Sequence, residues 1–411
     1  MFKLKTLVVA ILSVTAAQAY AANNSDALVH QDGIDQEATI YQAGNRQYSD
    51  TNQLGDRNKT TVDQFGARHS VEGYQNGTGN TLTTTQTGGS NLFGGSSVRS
   101  SSVGSWHDVD VDQNGVGNSA EIDQTTWNND AVVYQDGNFN SADVDQSGWN
   151  NDVEVSQDGT GNNATAAQVS TESSMAVIYQ DGGANQAATY QSGSLSKATI
   201  NQDGLTNLAY AQQAGARSNS WINQDGNLNI AATQQWGTDG VASIDQDGNL
   251  NVANAEQSGE YNTSYINQDG NVNGATSSQG GAHNTSNIDQ EGNLNLAVSS
   301  QYGTEGAASI AQNGDLNKAT AEQLSAGNDA WITQTGDENE AITGQWDDHN
   351  EAAIVQTGDL HMATVSQWGA HNDADVSQAG LGQTATVGQS GNSNDAYVGQ
   401  TGSYNIATIT Q

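Results

Sequence analysis

The chain has 411 residues, of which only 34% are hydrophobic, and its formal net charge at pH 7 is −36. Large apolar residues are too scarce for a bulky globular core, and the charge disfavours nucleic acid and anionic membrane surfaces as partners, because like charges repel. The sequence contains no Cys, which excludes disulfides and thiolate metal sites, and no Pro, as expected where most amides donate to a ladder.

Residues 1–21 have the pattern of a secretory signal peptide. Lys3 and Lys5 supply a basic region, residues 7–14 an apolar run, and residues 19–21 an Ala-Tyr-Ala cleavage site. The apolar run is too short to span a bilayer. The sequence therefore predicts an exported protein without a membrane span, whose mature chain begins just after this segment.

Beyond the signal peptide, Gln recurs every eleven residues over 31–86, 113–168 and 180–411. Counting back from each Gln by twos gives the pattern Asn-x-Ala-x-(Ile or Ala)-x-Gln, and this period of two is typical of a strand. Gly usually stands two residues after the Gln, where it permits the positive φ of a tight turn. An eleven-residue period also occurs in right-handed coiled coils, but Gly in each unit would cost a helix about 1 kcal/mol.

Each eleven-residue unit is therefore predicted to be one strand and one turn, and two units to form a 22-residue coil. The residue two before Gln alternates between large and small, as in Ile244, Ala255 and Ile266, so Ile is expected on one sheet and small residues on the other. The predicted fold class is all-β, a two-sheet β-solenoid of the cross-β kind. The predicted ladder residues are Gln180, Gln191, Gln202, Gln213, Gln224, Gln235, Gln246, Gln257, Gln268, Gln279, Gln290, Asn251, Asn262, Asn273, Asn284 and Asn295.

The regularity of the repeat predicts how the chain is divided. The predicted segments are the signal peptide at 1–21, less regular repeats at 22–86, a Gly- and Ser-rich break at 87–106, and regular repeats at 107–411. The break leaves room for one degenerate repeat, in which Ser96, Val98, Ser100 and Ser102 would face inward and Gly104 would lie at the turn.

Acidic residues follow the Gln at every second turn, which predicts a column of carboxylates about 4.8 Å apart along one edge. Its members are Asp181, Asp203, Asp225, Asp247, Asp269 and Glu291, and it is expected to continue two positions on at Asp315, Asp337 and Asp359. Three interpretations stay open: solubility with protection against wrong registers, binding of a divalent cation such as Ca²⁺, and a pH effect. Like charges raise the pKa values of neighbouring acids, so faster assembly is predicted at mildly acid pH.

Groups for catalysis do not cluster in the sequence. His69, His107 and His361 fall at the inward Asn position and are expected to replace Asn as hydrogen-bonding groups. No Ser, His and Asp are spaced as in a triad, and the glycines follow the repeat rather than a phosphate-binding loop. We therefore expect no enzyme activity and no cofactor, and the acidic column is the one weak candidate for a metal site.

The unit Gln-x-Gly-x-x-Asn-x-Ala-x-x-x-Gln resembles the repeat of curlin, the subunit of curli, the extracellular amyloid fibres of bacterial biofilms. The resemblance covers residues 25–411 with one break and rests on the Gln series, the Asn series and the turn glycines. It implies secretion in unfolded form through an outer-membrane channel, polymerisation from a nucleator subunit at the cell surface, adhesion and biofilm scaffolding. This chain has many more repeats than familiar curlins, and they begin close to the signal peptide.

The first hypothesis is a secreted structural protein that polymerises with itself into pilus-like extracellular fibres. Its expected partners are further copies of the chain, a curli-type nucleator and an outer-membrane secretion channel. The alternative is a monomeric secreted β-solenoid that acts as an adhesin or as a module binding ice, carbohydrate or calcium. An ice-binding face should show regular outward Thr columns, and the mixed outward residues count against one.

Overall fold

The computed structural model describes residues 24–89 and 95–411, and the regular structure in these residues is entirely β. The predicted signal peptide at 1–21 lies outside the described residues. Within the described part of the chain there is no helix with the length and hydropathy needed to cross a bilayer. The chain divides into two compact units, with the boundary between Ser192 and Gly193.

The described residues of the first unit form fifteen strands. They are β1 (Asp26–Ile34), β2 (Glu37–Asn45), β3 (Tyr48–Asp56), β4 (Lys59–Ala67), β5 (Ser70–Thr78), β6 (Thr81–Gly88), β7 (Ser97–Ser105), β8 (Asp108–Val116), β9 (Ser119–Trp127), β10 (Asp130–Asn138), β11 (Ser141–Trp149), β12 (Asp152–Thr160), β13 (Asn163–Glu172), β14 (Met175–Gly183) and β15 (Gln186–Gln191). Odd-numbered strands pair in parallel in one sheet, the odd sheet, and even-numbered strands pair in parallel in the other, the even sheet.

Paired residues in the first unit are usually 22 positions apart, as for Gln31 and Gln53. The separation grows to 27 between Gln86 and Gln113, because five additional residues lie between strands β6 and β7. It is 23 between Gln157 and Gln180, where one extra residue has been absorbed. The five-residue insertion lies between strands, whereas the single extra residue forms a bulge within β13, just after Gln168. The strands that follow each insertion pair in register again.

Strand β7 occupies the place of the degenerate repeat. Val98, Ser100 and Ser102 face inward, and each is at most 2% exposed. Ser96 is also buried, at the position where most units carry Asn, and Gly104 has φ of 140° at the turn. The Gly- and Ser-rich segment therefore still contributes one strand to the odd sheet.

The second unit contains twenty strands. They are β16 (Lys197–Leu205), β17 (Leu208–Gln213), β18 (Asn219–Asn227), β19 (Ile230–Gln235), β20 (Val241–Asn249), β21 (Val252–Gln257), β22 (Thr263–Asn271), β23 (Gly274–Gln279), β24 (Thr285–Asn293), β25 (Leu296–Gln301), β26 (Ala307–Asn313), β27 (Lys318–Gln323), β28 (Asp329–Thr335), β29 (Glu340–Gln345), β30 (Glu351–Asp359), β31 (Met362–Trp368), β32 (Asp373–Leu381), β33 (Thr384–Ser390), β34 (Asp395–Ser403) and β35 (Ile406–Thr410). Pairing is again parallel, within an even and an odd sheet.

The core of the second unit is a thin layer between its two sheets. The even sheet contributes Ile222, Ile244 and Ile266, and the odd sheet contributes the smaller Thr233 and Ala255, all at most 2% exposed. Large side chains from one sheet thus meet small ones from the other, which fills a narrow space at the density of a protein interior. The two units together hold about 17 coils of about 22 residues, and the predicted all-β solenoid is confirmed.

Candidate functional site

Buried glutamines form ladders along each sheet, and these ladders are the most extensive polar feature of the described chain. In the even sheet of the second unit, Gln246 Nε2 donates to Oε1 of Gln268 at 2.8 Å. The same nitrogen donates to the backbone oxygen of Ile230, on the opposite sheet, at 3.1 Å. Each amide therefore joins one coil to the next and also joins the two sheets, which satisfies polar groups that are out of contact with water.

The predicted ladder glutamines divide between the two sheets of each unit. In the second unit the even ladder contains Gln202, Gln224, Gln246, Gln268 and Gln290, and the odd ladder contains Gln213, Gln235, Gln257 and Gln279. In the first unit, Gln180 accepts from Gln157 and Gln191 accepts from Gln168, both at 2.8 Å. Ser102 stands in the odd ladder where Gln would be expected, and its hydroxyl donates to Gln124 Oε1 at 3.3 Å.

Buried asparagines form a second set of ladders at the turns. Asn251 Oδ1 accepts the backbone N–H of Asn273 at 2.9 Å, while Asn251 Nδ2 donates to the backbone oxygen of Gly270 at 2.9 Å. Asn295 continues this column at one turn, and Asn262 and Asn284 form its counterpart at the other turn. The Asn side chain therefore caps backbone groups of the neighbouring coil at the point where the chain reverses.

Turn glycines are required by the close stacking of these turns. Gly248 has φ of 114°, and a Cβ placed on it would lie 1.9 Å from the backbone oxygen of Gly270 in the next coil. Any side chain would therefore collide with a backbone carbonyl, and the positive φ is itself unfavourable for other residues. The glycine two residues after Gln is needed for stacking as well as for the turn.

Histidine replaces Asn at three turns. The bonds of His69 show that the imidazole ring can make the same contacts as the Asn side chain. His69 Nδ1 accepts the backbone N–H of Ser96 at 3.1 Å, and its Nε2 faces the backbone oxygens of Phe65 and Gly88 at 3.1 Å. Burial lowers the pKa of His69, which keeps the ring neutral with Nε2 as the donor. His107 and His361 are equally buried at the corresponding positions.

The predicted acidic column is in register in the second unit, where Asp203, Asp225, Asp247, Asp269 and Glu291 are successive strand partners. Partial removal from water, together with the charges of Asp225 and Asp269, raises the pKa of Asp247. No group of three or more His, Asp or Glu side chains in residues 24–89 and 95–411 has the arrangement of a metal site. Cation binding by the column stays a prediction.

The expected continuation of this column was wrong. Glu291 is paired with Asn313, whereas Asp315 Oδ1 accepts from Asn293 Nδ2 at 3.0 Å. Asp315, Asp337 and Asp359 therefore extend a different column, an exposed ladder of asparagines that begins at Asn227. Sequence reasoning missed this ladder, although its signal, an Asn three residues after every second Gln, was present.

The first unit contains an acidic column that sequence reasoning also missed. Asp130 is paired with Asp108 on one side and Asp152 on the other. Partial burial, with the negative charges of Asp108 and Asp152 next in effect, raises the pKa of Asp130 to about 6. Burial also raises the pKa values of Asp108 and Asp152. The 22-residue spacing of these three Asp residues was visible in the sequence. They stand five positions before the Gln, however, and acidic residues do not recur at that position along the rest of the chain.

This column predicts that the folded chain is more stable at pH 5 than at pH 7.5. The folded pKa of Asp130 lies above the ordinary value of about 3.9, so between those values the folded state binds more protons and stability falls as the pH rises. Thermal unfolding at the two pH values should show a higher midpoint at pH 5, and Asp130→Asn should reduce the difference. Asp239→Asn is the control, because the Arg217 guanidinium lowers the pKa of Asp239 and keeps it ionised at both pH values. An undiminished difference in Asp130→Asn would contradict this assignment.

Comparison with known proteins finds the curlin associated repeat in this chain. The matched residues are 55–88, 107–137, 127–159, 171–204, 307–336, 348–380 and 384–411. A comparison with curated proteins gives no match. The matches cover about half of the chain, and within the described residues they coincide with the Gln, Asn and Gly columns. The chain therefore belongs to the family of proteins built from the curlin associated repeat, and its resemblance to curlin is confirmed.

Proposed function

We propose that this chain is a secreted structural subunit that polymerises into curli-like extracellular amyloid fibres, which serve adhesion and the biofilm matrix. The observation that carries the proposal is the sameness of the contact between coils. Gln246 bonds to Gln268 as Gln224 bonds to Gln246, and Asn273 meets Asn251 as Asn251 meets Asn229. Because each coil requires only a copy of itself as neighbour, a coil from a second chain can take that place.

The energetics of a single coil support assembly from a nucleus. A coil in the middle of the second unit buries one Ile with a few smaller residues, and this apolar area is too small to offset the conformational entropy of ordering 22 residues. A coil that adds to an existing stack gains a row of backbone hydrogen bonds, two Gln amide bonds and apolar contact at once. Nucleation should therefore be slow and addition to a preformed end fast.

The proposed localisation is an extracellular, cell-surface fibre, and the proposed partners are further copies of the chain, a curli-type nucleator subunit and an outer-membrane secretion channel. Export is supported by the pattern of residues 1–21, with its basic region, apolar run and cleavage site. The stacked repeats supply hydrogen bonds and packing rather than a catalytic cluster, so we propose a structural role and no enzyme activity.

Seeded growth tests this proposal. The full chain is purified in denaturant, diluted into buffer, and followed by amyloid-dye fluorescence and electron microscopy, with and without sonicated fibres as seeds. We expect fibres after a lag, and we expect seeds to shorten the lag at least tenfold, because they supply the coil edge that an unfolded chain lacks. Seeds dissolved in denaturant and diluted in parallel are the control. A chain that folds and stays monomeric would contradict the proposal and favour the adhesin or ligand-binding alternative.

A further inference from the structure

The two outward faces of the second unit differ in charge. Up to the ladder Gln, the even strands β16 to β34 carry seven Asp or Glu residues and one Lys, and six further acidic residues of these strands follow that Gln at the turn. The odd strands β17 to β35 carry three acidic residues, Glu256, Glu322 and Glu340, and one Lys. Lys318 Nζ pairs with Glu340 at 2.9 Å, which neutralises part of that small charge. We call the outward surface of the odd strands in this unit the neutral face.

One edge of the neutral face carries exposed aliphatic side chains at the turns that lead into six of its ten strands. They are Leu228, Leu250, Val272, Leu294, Leu316 and Leu360, each between 45% and 51% exposed. A second column begins the odd strands themselves, with Ile230, Val252, Leu296 and Met362 between 44% and 48% exposed. So regular a display of apolar side chains is unusual on a chain with this composition, and contiguous exposed apolar patches commonly mark interaction surfaces.

The backbone does not require apolar residues at this turn. Leu228, Leu250 and Val272 have φ of about 60°, a left-handed conformation that branched side chains adopt at a cost and that Asn or Gly adopts readily. At the opposite turn the residues with the same positive φ include Arg217, Asp239 and Glu305, which are charged. In the second unit the same local geometry holds six aliphatic residues and one charged residue, Glu338, at one edge, but a single aliphatic residue, Leu195, at the other. The aliphatic excess therefore needs a reason outside the turn.

The other edge of the neutral face carries aromatic side chains. Trp236, Tyr302 and Trp368 follow the ladder Gln of their strands and are 44%, 55% and 53% exposed. The rings of Trp346 and Trp368, on successive coils, stack with centroids 4.2 Å apart and an angle of 16° between planes. Apolar groups therefore border the neutral face on both sides, with mostly uncharged side chains between them.

The area of the neutral face is that of a stable protein interface. It contains ten strands. At about 4.8 Å per strand and about 3.3 Å per residue over six residues, the face measures roughly 950 Å². A typical stable complex buries about 800 Å² on each partner, with apolar and aromatic residues in the contact and few charges in its centre.

We propose that the neutral face pairs with the same face of a second copy of this chain, so that filaments associate side by side. This rests on the proposed polymerisation and adds where its lateral contact lies. In a two-fold arrangement the same patch of both partners is in contact, so the patch must not repel a copy of itself. The neutral face suits such a contact because it carries few charges. The acidic even face points away from the contact, whereas pairing through that face would oppose two sets of carboxylates.

The test compares two triple variants of the full chain. The first variant replaces three side chains of the aliphatic edge with Asn, which adopts the left-handed conformation of the turn readily: Leu228→Asn, Leu250→Asn and Leu294→Asn. The matched control, Trp221→Thr, Tyr265→Thr and Trp331→Thr, removes exposed aromatics from the acidic face. Cryo-electron microscopy measures the fraction of fibre length that is paired, and seeded elongation rates measure polymerisation separately. We expect the Asn variant to lose pairing at least tenfold with an elongation rate within twofold of the parent, and the control to pair as the parent does.

Several outcomes would overturn the lateral contact while leaving polymerisation intact. One is an Asn variant that pairs like the parent, and another is a control that loses pairing. A third is parent filaments that stay single, whether or not they co-sediment with neutral polysaccharide or lipid vesicles. If the parent forms no fibres, the proposed function fails, and sedimentation velocity of the soluble full chain decides the contact. A parent dimer with a monomeric Asn variant would support it, and a monomeric parent would overturn it.

Discussion

Replacing Gln235 with Leu should lower the free energy of unfolding by about 3 kcal/mol, because a single substitution removes bonds to several buried groups. Gln235 Nε2 donates to Gln257 Oε1 at 2.9 Å and to the backbone oxygen of Asn219 at 3.0 Å, and Gln235 Oε1 accepts from Gln213 Nε2 at 3.0 Å. Leucine has a similar volume, so the loss would come from polar groups left without partners rather than from a cavity.

The neighbouring Gln234 is the matched control for this prediction. It lies on the same strand, but its side chain points outward and is partly exposed, so Gln234→Leu should change stability by less than about 0.5 kcal/mol. Denaturant midpoints under conditions that prevent polymerisation would measure both variants, and hydrogen exchange of the β17, β19 and β21 amides would locate the effect. Equal effects at Gln234 and Gln235 would show that the ladder contributes no special cohesion.

Replacing Gly248 with Ala should be about as damaging, at about 3 kcal/mol, because it combines an unfavourable backbone conformation with a collision. The new Cβ would lie 1.9 Å from the oxygen of Gly270, which also accepts the Asn251 amide at 2.9 Å. To relieve the collision the turn must move, and the capping bond of Asn251 would be lost with it.

Gly388 provides the control, since it lies within strand β33 with no heavy atom within 4 Å of an added Cβ. Gly388→Ala should be neutral or stabilise the fold by up to about 1 kcal/mol, because Ala restricts the unfolded chain. Thermal and denaturant unfolding of both variants would measure the difference. A Gly248→Ala protein as stable as the parent would mean that the stacked turns have more room than their geometry indicates.

Most of the fold could be predicted from the sequence, because the repeat determines both where each strand lies in the chain and which strand pairs with it. The eleven-residue spacing of the ladder glutamines gives the length of each strand unit but not the assignment of strands to sheets. The alternation of Ile244, Ala255 and Ile266 shows which strands share a sheet. Since a shift by one residue would expose every buried side chain, the register admits little ambiguity.

The acidic columns of the first unit were only partly predictable. The pairing distance changes to 23 after Gln157, so counting by 22 loses the alignment of Asp158 with Asp181. Asp108, Asp130 and Asp152 keep the 22-residue spacing, but acids do not recur at their position through the rest of the chain. The raised pKa of Asp130 could not be predicted either. It depends first on partial burial of the side chain, which the sequence does not give. The charge difference between the two faces needed the assignment of each strand to a sheet.

The five residues inserted between β6 and β7 have a consequence for how such a chain can grow or shrink. Gln86 and Gln113 keep their amide bond at 2.9 Å although five additional residues separate them, so added length at a turn is absorbed without disturbing the layers above and below. Deleting one eleven-residue unit, in contrast, would send every later strand to the opposite sheet, and at the junction two Ile-bearing strands or two small-residue strands would face each other. Tandem duplication or loss in the gene can therefore change array length freely only in steps of two units.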